Sequence, residues 1–386
     1  MCALELKDSP CGHLVPTVGG QMAFVPDPLP QVIQLSPSLV YRLDRASRAV
    51  ATLAGVGETL PNPHLLIRPF VSREAVLSSR IEGTQASISD VFMYEASGAR
   101  RGRGDTREVV NYIRALEHGL SRLTDLPVCV RLANEMHAVL LEGVRGKEKK
   151  PGELRQDQVW IGSEGTEIGD ARFIPPPASL APDLLADWER FLNTDLEMPP
   201  LVRCALMHYQ FEAIHPYLDG NGRIGRLLII LFLCAEGVLP APLLYLSAYF
   251  ERNRDEYNGR LYQVSLTGQW ESWLGFFLDG VWEQAHDAVL RSRRVRQLQE
   301  QYRDRLQQTR ASGNTLRLLD ELFASPIMTA PQVAQILKVT PAGARLVLER
   351  LKEAEIVEVL PETWPRFYVA RELLAAIEAP VAKMVD

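Results

Sequence analysis

The strongest constraint on how this chain can fold is one junction. Residues 214–227 read IHPYLDGNGRIGRL and run directly into nine consecutive apolar residues, Leu227–Ala235. That run is half of what a membrane-spanning helix needs. Together with the apolar stretch Leu201–Ile214 ahead of it, it predicts two helices, about 201–214 and 223–236, joined by a sharp glycine-rich turn. Leu227, Leu228, Leu231 and Phe232 then belong to the core.

Composition narrows the class. The chain has 386 residues, 46% hydrophobic and 23% charged, and a net charge of −6. This is the balance of a globular protein of two or three domains, not of a disordered, collagen-like or disulfide-dense chain. The mild negative charge argues against a general polyanion binder. Five widely spaced cysteines (Cys2, Cys11, Cys129, Cys204, Cys234) form no CxxC pair, so free thiols are expected. Glu5, Lys7 and Asp8 precede any apolar run, unlike a secretory signal. The reading is a cytoplasmic protein with no membrane segment.

Along the chain, residues 1–36 read as an extended arm. Leu39, Leu43, Ala46 and Val50 begin a helix, and a second is predicted over about Pro69–Glu82, with Gly83 just past its end. Gly98–Gly104, GARRGRG, reads as a basic loop before a helix capped by Asp105 or Thr106. Gln158–Gly162 and Arg172–Pro177 make the best hairpin candidate. Residues 291–310 carry seven arginines and two acids and read as a connector helix with a solvated face. After Ser312-Gly313 come helices at Leu316–Leu322, Thr329–Leu337 and Pro341–Lys352, then a hairpin of Val357–Leu360 and Arg366–Val369, the winged helix-turn-helix order. The expected domains are 1–110, an arm and helical region; 111–290, a mainly α-helical core with a small hairpin; 291–312, the connector; and 313–386, the winged domain.

The junction also carries the chemistry. Gly220 and Gly222 around Asn221 allow backbone N–H groups to point outward together at a helix start, a setting for phosphate. Arg223 and Arg226 share one face of the first turn and suit a polyphosphate. Asp219 is the only carboxylate, and one carboxylate with phosphate oxygens is a common way to hold Mg²⁺. A neutral His215 could take a proton from a hydroxyl. Nucleotidyl or phosphoryl transfer to a hydroxyl follows. The chain has no GxxxxGK[ST] loop and no paired kinase motifs. His208, seven residues before His215, reads as core rather than as a metal ligand.

His215-Pro216-Tyr217-Leu218-Asp219-Gly220-Asn221-Gly222-Arg223-Ile224-Gly225-Arg226 resembles the HPFxDGNGRxxR signature of the Fic family, with Tyr217 in place of the usual Phe. The resemblance implies a Fic helical core that transfers AMP from ATP to a Tyr, Thr or Ser hydroxyl of a protein, releasing pyrophosphate. It implies His215 as general base and Asp219 as Mg²⁺ ligand. Gly220, Asn221 and Gly222 would form the anion hole, and Arg223 and Arg226 would hold the β- and γ-phosphates. Ile224 and Gly225 complete the nucleotide loop. The intact GNGR favours AMP over phosphate transfer. Val159, Trp160 and Ile161 lie in a segment similar to the family's flap, which clamps a target by strand-like pairing. Tyr257 lies where the family places an aromatic residue near adenine.

Ser78-Ser79-Arg80-Ile81-Glu82-Gly83 fits the family's inhibitory pattern [S/T]xxxE[G/N]. Ser78 and Glu82 are four apart, on one helix face. The family precedent pairs Glu82 with Arg226, which then cannot hold the γ-phosphate. The partners expected are ATP, an unidentified target protein, and a second copy of the chain in a dimer. Residues 313–386 hold eight basic and ten acidic residues, a net of 8 − 10 = −2, which disfavours DNA as the partner of the winged domain. At this level other readings stay open. They are removal of AMP or use of another nucleotide at the same site, and a DNA-binding regulator whose core senses a ligand.

Overall fold

The computed structural model describes residues 5–58, 64–98, 104–144, 148–162, 165–308, 311–361 and 363–379. It is mainly helical with two small antiparallel sheets. Most of the expected basic loop, residues 99–103, lies outside the described residues, as does Cys2. The four other cysteines are free.

Residues 12–26, expected as an extended arm, form a true hairpin. Strand β1, Gly12–Pro16, pairs antiparallel with β2, Met22–Pro26, from Gly12 opposite Pro26 to Pro16 opposite Met22. Thr17 N–H to Gln21 O closes the turn at 2.7 Å, and Gly20 supplies the positive φ it needs. The stronger hairpin candidate, 158–177, is reduced to one bridge between Ile161 and Phe173. Its return arm runs into Pro175-Pro176-Pro177, which offers no N–H to continue a ladder.

The first helices are α1, Pro37–Glu58, and α2, His64–Ile81. α2 begins about a turn before the expected start, with Pro69 inside it. Gly83, at φ 93°, turns the chain beyond it. Helix α3, Ile88–Ala96, starts with a capping box between Ser87 and Asp90. Helix α4, Gly104–Arg122, already includes Asp105, whose carboxylate accepts from Gln85 N–H instead of capping α4. Next come α5, Val130–Leu140; α6, Ala181–Asn193; α7, Pro200–Ile214; and α8, Asn221–Ala235. α8 is buried on nearly every side, as its apolar run requires.

Helices α9, Ser247–Arg252, and α10, Arg254–Thr267, lead into α11, Trp270–Gln308. The expected separate connector is the second half of this 39-residue helix. One side of that half is buried: Arg291, Val295, Tyr302 and Leu306 face inward. Then come α12, Gly313–Ala324; β3, Ile327–Thr329; α13, Ala330–Leu337; α14, Pro341–Glu353; β4, Glu358–Val359; β5, Phe367–Val369; and α15, Arg371–Glu378. The strand order is β3-β5-β4. Neither β3 nor α15 was expected from the sequence. α15 packs on α11 and α2, and α12 packs on α2. α2 therefore lies between the α4–α9 side of the core and the C-terminal unit.

Candidate functional site

α7 ends at Ile214, and His215 caps it in the left-handed region at φ 51°, its N–H bonded to Phe211 O at 3.0 Å. Such a conformation is strained for a non-glycine residue, more so before a proline. Two donors hold it there. Arg155 Nε donates to His215 O at 2.8 Å, and Arg155 N–H donates to Pro216 O at 2.9 Å. The half-buried imidazole is pushed down to about 4 by burial and by the Arg155 charge, so it is neutral near pH 7. Its Nδ1 faces Glu212 O at 3.4 Å, which leaves Nε2 as the free base.

The turn is closed from within. Tyr217 N–H donates to Asn221 Oδ1, and Asn221 Nδ2 donates back to Tyr217 O, both at 2.8 Å. The Asn221 side chain is thus spent on the loop and not turned toward a ligand. Tyr217 stacks on His137 with centroids 3.9 Å apart. Its hydroxyl donates to Asn134 Oδ1 at 2.8 Å, which gives the Tyr-for-Phe departure a physical reason. His137 accepts from Gly152 N–H at Nδ1 and donates from Nε2 to Asp219 O, both at 2.9 Å. Burial pushes it down to about 4. Gly220, at φ 82°, opens α8, and the first intrahelical bond runs from Ile224 N–H to Gly220 O. The amides of Asn221, Gly222 and Arg223 precede that bond and form the positive end of the helix.

The two arginines differ from each other. Arg223 is buried between Glu108 Oε2 at 3.3 Å and Asp219 Oδ1 at 3.1 Å. It braces Asp219 and does not project from the turn. Arg226 donates from Nε to Ser78 Oγ at 2.8 Å, and from Nη2 to Ser78 O at 3.0 Å and Glu82 Oε1 at 2.7 Å. Burial alone would raise the Glu82 carboxyl, but Arg226, with Arg223 and His215, outweighs it and holds it below the usual range. Glu82 Oε1 also lies 2.5 Å from where a Cβ on Gly222 would stand. A carboxylate therefore rests against the glycine turn. Behind Ser78, Glu74 is buried and accepts from Tyr112 and Ser247 hydroxyls.

Three expected nucleotide contacts are buried in the packing around the turn. Tyr257 is buried, stacked on Phe250 at 4.4 Å, with its hydroxyl 2.7 Å from His208 Nε2. Its ring is core, because α10 turns that face onto α7 and α11. Ile224 is fully buried. Gly225 makes room for Glu212, whose Oε1 is 2.3 Å from a would-be Cβ there. His208 is a core residue held by Gly225 O at 3.2 Å. Glu212 was missed from the sequence. Among the described residues its buried Oε1 has no hydrogen-bond partner, and burial pushes the carboxyl up to about 7, against the pull of Arg226. Arg155, His137, Asn134, Glu108 and Glu74 were missed too. Isolated polar residues on predicted helices or loops read as solvated, so no sequence signal marks them.

In the segment expected as a flap, Ile161 and Phe173 exchange backbone bonds at 2.8 and 3.3 Å. Gln158 Nε2 donates to Pro175 O at 2.8 Å. Trp160 is 42% exposed and Ile161 38%, while Val159 is half-buried. The β1–β2 hairpin backs this segment through Phe24 N–H to Ile174 O at 2.9 Å.

Among the described residues, no group of three or more His, Cys, Asp or Glu side chains could hold a metal, and no helix is long and apolar enough to cross a membrane. Asp219 is partly exposed. As a lone carboxylate it fits Mg²⁺ only if phosphate oxygens and water fill the other positions.

Comparison with known proteins places these features. Residues 40–121 match the family model "Fic/DOC family N-terminal", and residues 127–233 match "Fic/DOC family". Protein adenylyltransferase fic-1 of Caenorhabditis briggsae is 29% identical over 126 residues, 30% of this chain and 23% of that protein. Protein adenylyltransferase Fic of Drosophila ananassae is 39% identical over 92 residues, 23% of this chain and 16% of that protein. The chain thus spans less than a quarter of the length of these curated relatives. A Fic family protein from Desulfovibrio desulfuricans G20 shares the fold over 88% of this chain and 97% of its own, with a TM-score of 0.56 at 21% identity. Residues 40–121 and 127–233 of this chain are therefore similar, in that order, to the Fic/DOC family N-terminal region and the Fic/DOC family domain.

Proposed function

We propose that this chain is a protein adenylyltransferase that moves AMP from ATP to a hydroxyl side chain of a protein, itself included, and that it is restrained by Glu82. The observation that carries the reading is the Glu82 carboxylate lying against Gly222 while it engages Arg226. A turn that accommodates a carboxylate beside a helix N-terminus and a guanidinium suits the terminal phosphates of a nucleotide.

In the reaction, the target oxygen attacks the α-phosphorus as its proton passes to His215 Nε2. The bond to the β-phosphate oxygen breaks and pyrophosphate leaves. Mg²⁺ at Asp219, when bound, neutralises phosphate charge. Arg223 keeps Asp219 in place, and the amides at Asn221–Arg223 stabilise the charge that develops. The flap offers strand edges at Val159–Ile161 to the target. With Glu82 in place, Arg226 cannot hold the γ-phosphate, and the α-phosphate is misplaced for in-line attack.

The C-terminal unit, α12–α14 with β3–β5, is read as a winged helix-turn-helix. On α14, Arg350 and Lys352 pair with Glu353 and Glu349, which weakens a DNA-binding reading. Because α12 and α15 pack on the helix that carries Ser78, a role between domains fits better.

Incubation with α- and γ-labelled ATP tests the reading. AMP transfer leaves only the α-label on protein, and Glu82→Gly raises that label by about tenfold or more, the size of a 1.4 kcal/mol shift. A γ-label would mean phosphorylation. No label from either, with or without Glu82, would favour a regulator and sink the proposal. Unchanged α-labelling in Glu82→Gly would remove the restraint alone.

A further inference from the structure

Arg155 belongs to no helix or strand, yet it is only 2% exposed. Among the described residues no carboxylate pairs with it. Every partner is a backbone carbonyl: His215 at 2.8 Å, Ile214 at 3.4 Å, Asp157 at 3.3 Å and Pro176 at 2.5 Å. A buried guanidinium compensated only by carbonyls is costly, and burial pulls it down to about 10, still charged at neutral pH. Those carbonyls belong to three separate pieces of the site: the end of α7 with the general base, the entry to the flap at Asp157, and its return arm at Pro176. Its own N–H adds Pro216 O.

We infer that Arg155 is a positioning residue that makes the His215 backbone and the base of the flap one rigid unit. It holds His215 in its left-handed conformation, and its charge adds to burial, the larger cause, in keeping the imidazole neutral. A segment docked on Val159–Ile161 is thereby set at a fixed place relative to Nε2. The planar fork is what allows this. A lysine would keep the charge but cannot reach all three pieces at once. The other charged groups around the imidazole are Glu82 and Asp219, with Glu212 one turn back on α7.

This inference rests on the proposed activity, and its test has a readout independent of it. Arg155→Lys and Arg155→Met are made in the Glu82→Gly chain, and self-labelling from α-labelled ATP is followed at varied ATP. Both variants should label about 10–100-fold more slowly at saturating ATP, the scale expected for ångström misplacement. The ATP concentration at half-maximal rate should stay within about twofold, because no phosphate ligand is touched. The His215 imidazole, titrated by NMR, should rise in Arg155→Met and stay low in Arg155→Lys. Full-rate labelling in Arg155→Lys would overturn the inference. So would loss of ATP affinity in step with rate, the mark of a general structural defect, or a His215 titration unmoved in Arg155→Met. If Arg155→Met does not fold, Arg155→Lys decides alone. If the Glu82→Gly parent takes no label, the proposed activity fails, and the imidazole titration still judges Arg155.

Discussion

Two neighbouring stretches, the 215–226 loop and the 158–177 segment expected as a flap, are built on opposite principles. In the loop nearly every polar side chain is spoken for. Asn221 closes onto Tyr217, His137 holds Asp219 O, and Arg223 joins Glu108 to Asp219. Among the described residues of the flap, one pair exchanges backbone bonds, the Gln158 and Trp160 side chains donate to carbonyls within the segment, and the Trp160 and Ile161 side chains are partly exposed. The proposed function would account for the contrast. Charge stabilisation at phosphorus needs dipoles already in place, because reorganising them during reaction is expensive. A surface that takes up another chain by strand addition must keep backbone groups unsatisfied until the partner supplies them. Arg155 is where the two meet, a saturated group whose acceptors lie on both sides.

The comparison can be broken at its most rigid point. His215→Ala in the Glu82→Gly chain should lower AMP incorporation about 10²–10⁴-fold, the range for a positioned general base, with the circular dichroism spectrum unchanged. Labelling at the parent rate would assign the base elsewhere. Next in size is the loop closure. Asn221→Ala removes two buried reciprocal bonds and leaves Tyr217 N–H and O without partners. Urea unfolding should register a loss of about 2–4 kcal/mol. A loss below about 0.5 kcal/mol would mean the turn does not depend on that closure.

The pH dependence is smaller per step. His137, His208 and His215 are held at about 4, 3 and 4 in the folded chain, below the 6.5 of an ordinary imidazole. The unfolded chain therefore binds these protons first, and the stability present above pH 6.5 is lost as pH falls toward 4. Glu212, raised to about 7, and Glu74, also raised, run the other way, adding stability as they protonate. Three imidazoles outnumber these two carboxyls, so on balance stability falls as pH drops from 6.5 toward 4.5. Urea titrations across that window check it, and a flat or rising profile would contradict the buried neutral histidines. Smallest is the flap. Trp160→Ala should change stability by less than about 0.5 kcal/mol and leave ATP affinity intact, yet slow labelling of a protein target. Equal labelling would show that the exposed indole takes no part in docking.

Much of this was legible early because it is local. A run of nine apolar residues after a glycine turn can hardly be anything but a buried helix, and α8 is one. Ser78 and Glu82 both reach Arg226, as their four-residue spacing suggested, although α2 ends at Ile81 and Glu82 lies in the turn beyond it, where Gly83 has a positive φ. The departures have equally physical causes. Three prolines stop the 158–177 ladder, while 12–26, which carried no strong signal, gains a partner strand and a core to rest on. The polar run at 291–310 reads as solvated, but its buried side depends on helices that arrive about twenty or more residues later.

The sequence by itself determined the turn, its glycines, the place of its histidine and the helix that could reach it, since those follow from bond geometry and spacing within a few residues. Only the tertiary structure decided which groups face a ligand. Arg223 and Asn221 were drawn inward, Tyr257 was folded into the core, and Arg155, invisible as a lone basic residue, became the clamp on the site. Burial and hydrogen-bond partnership are set by chain segments far apart in sequence, and a buried polar group must take whatever partner that packing brings.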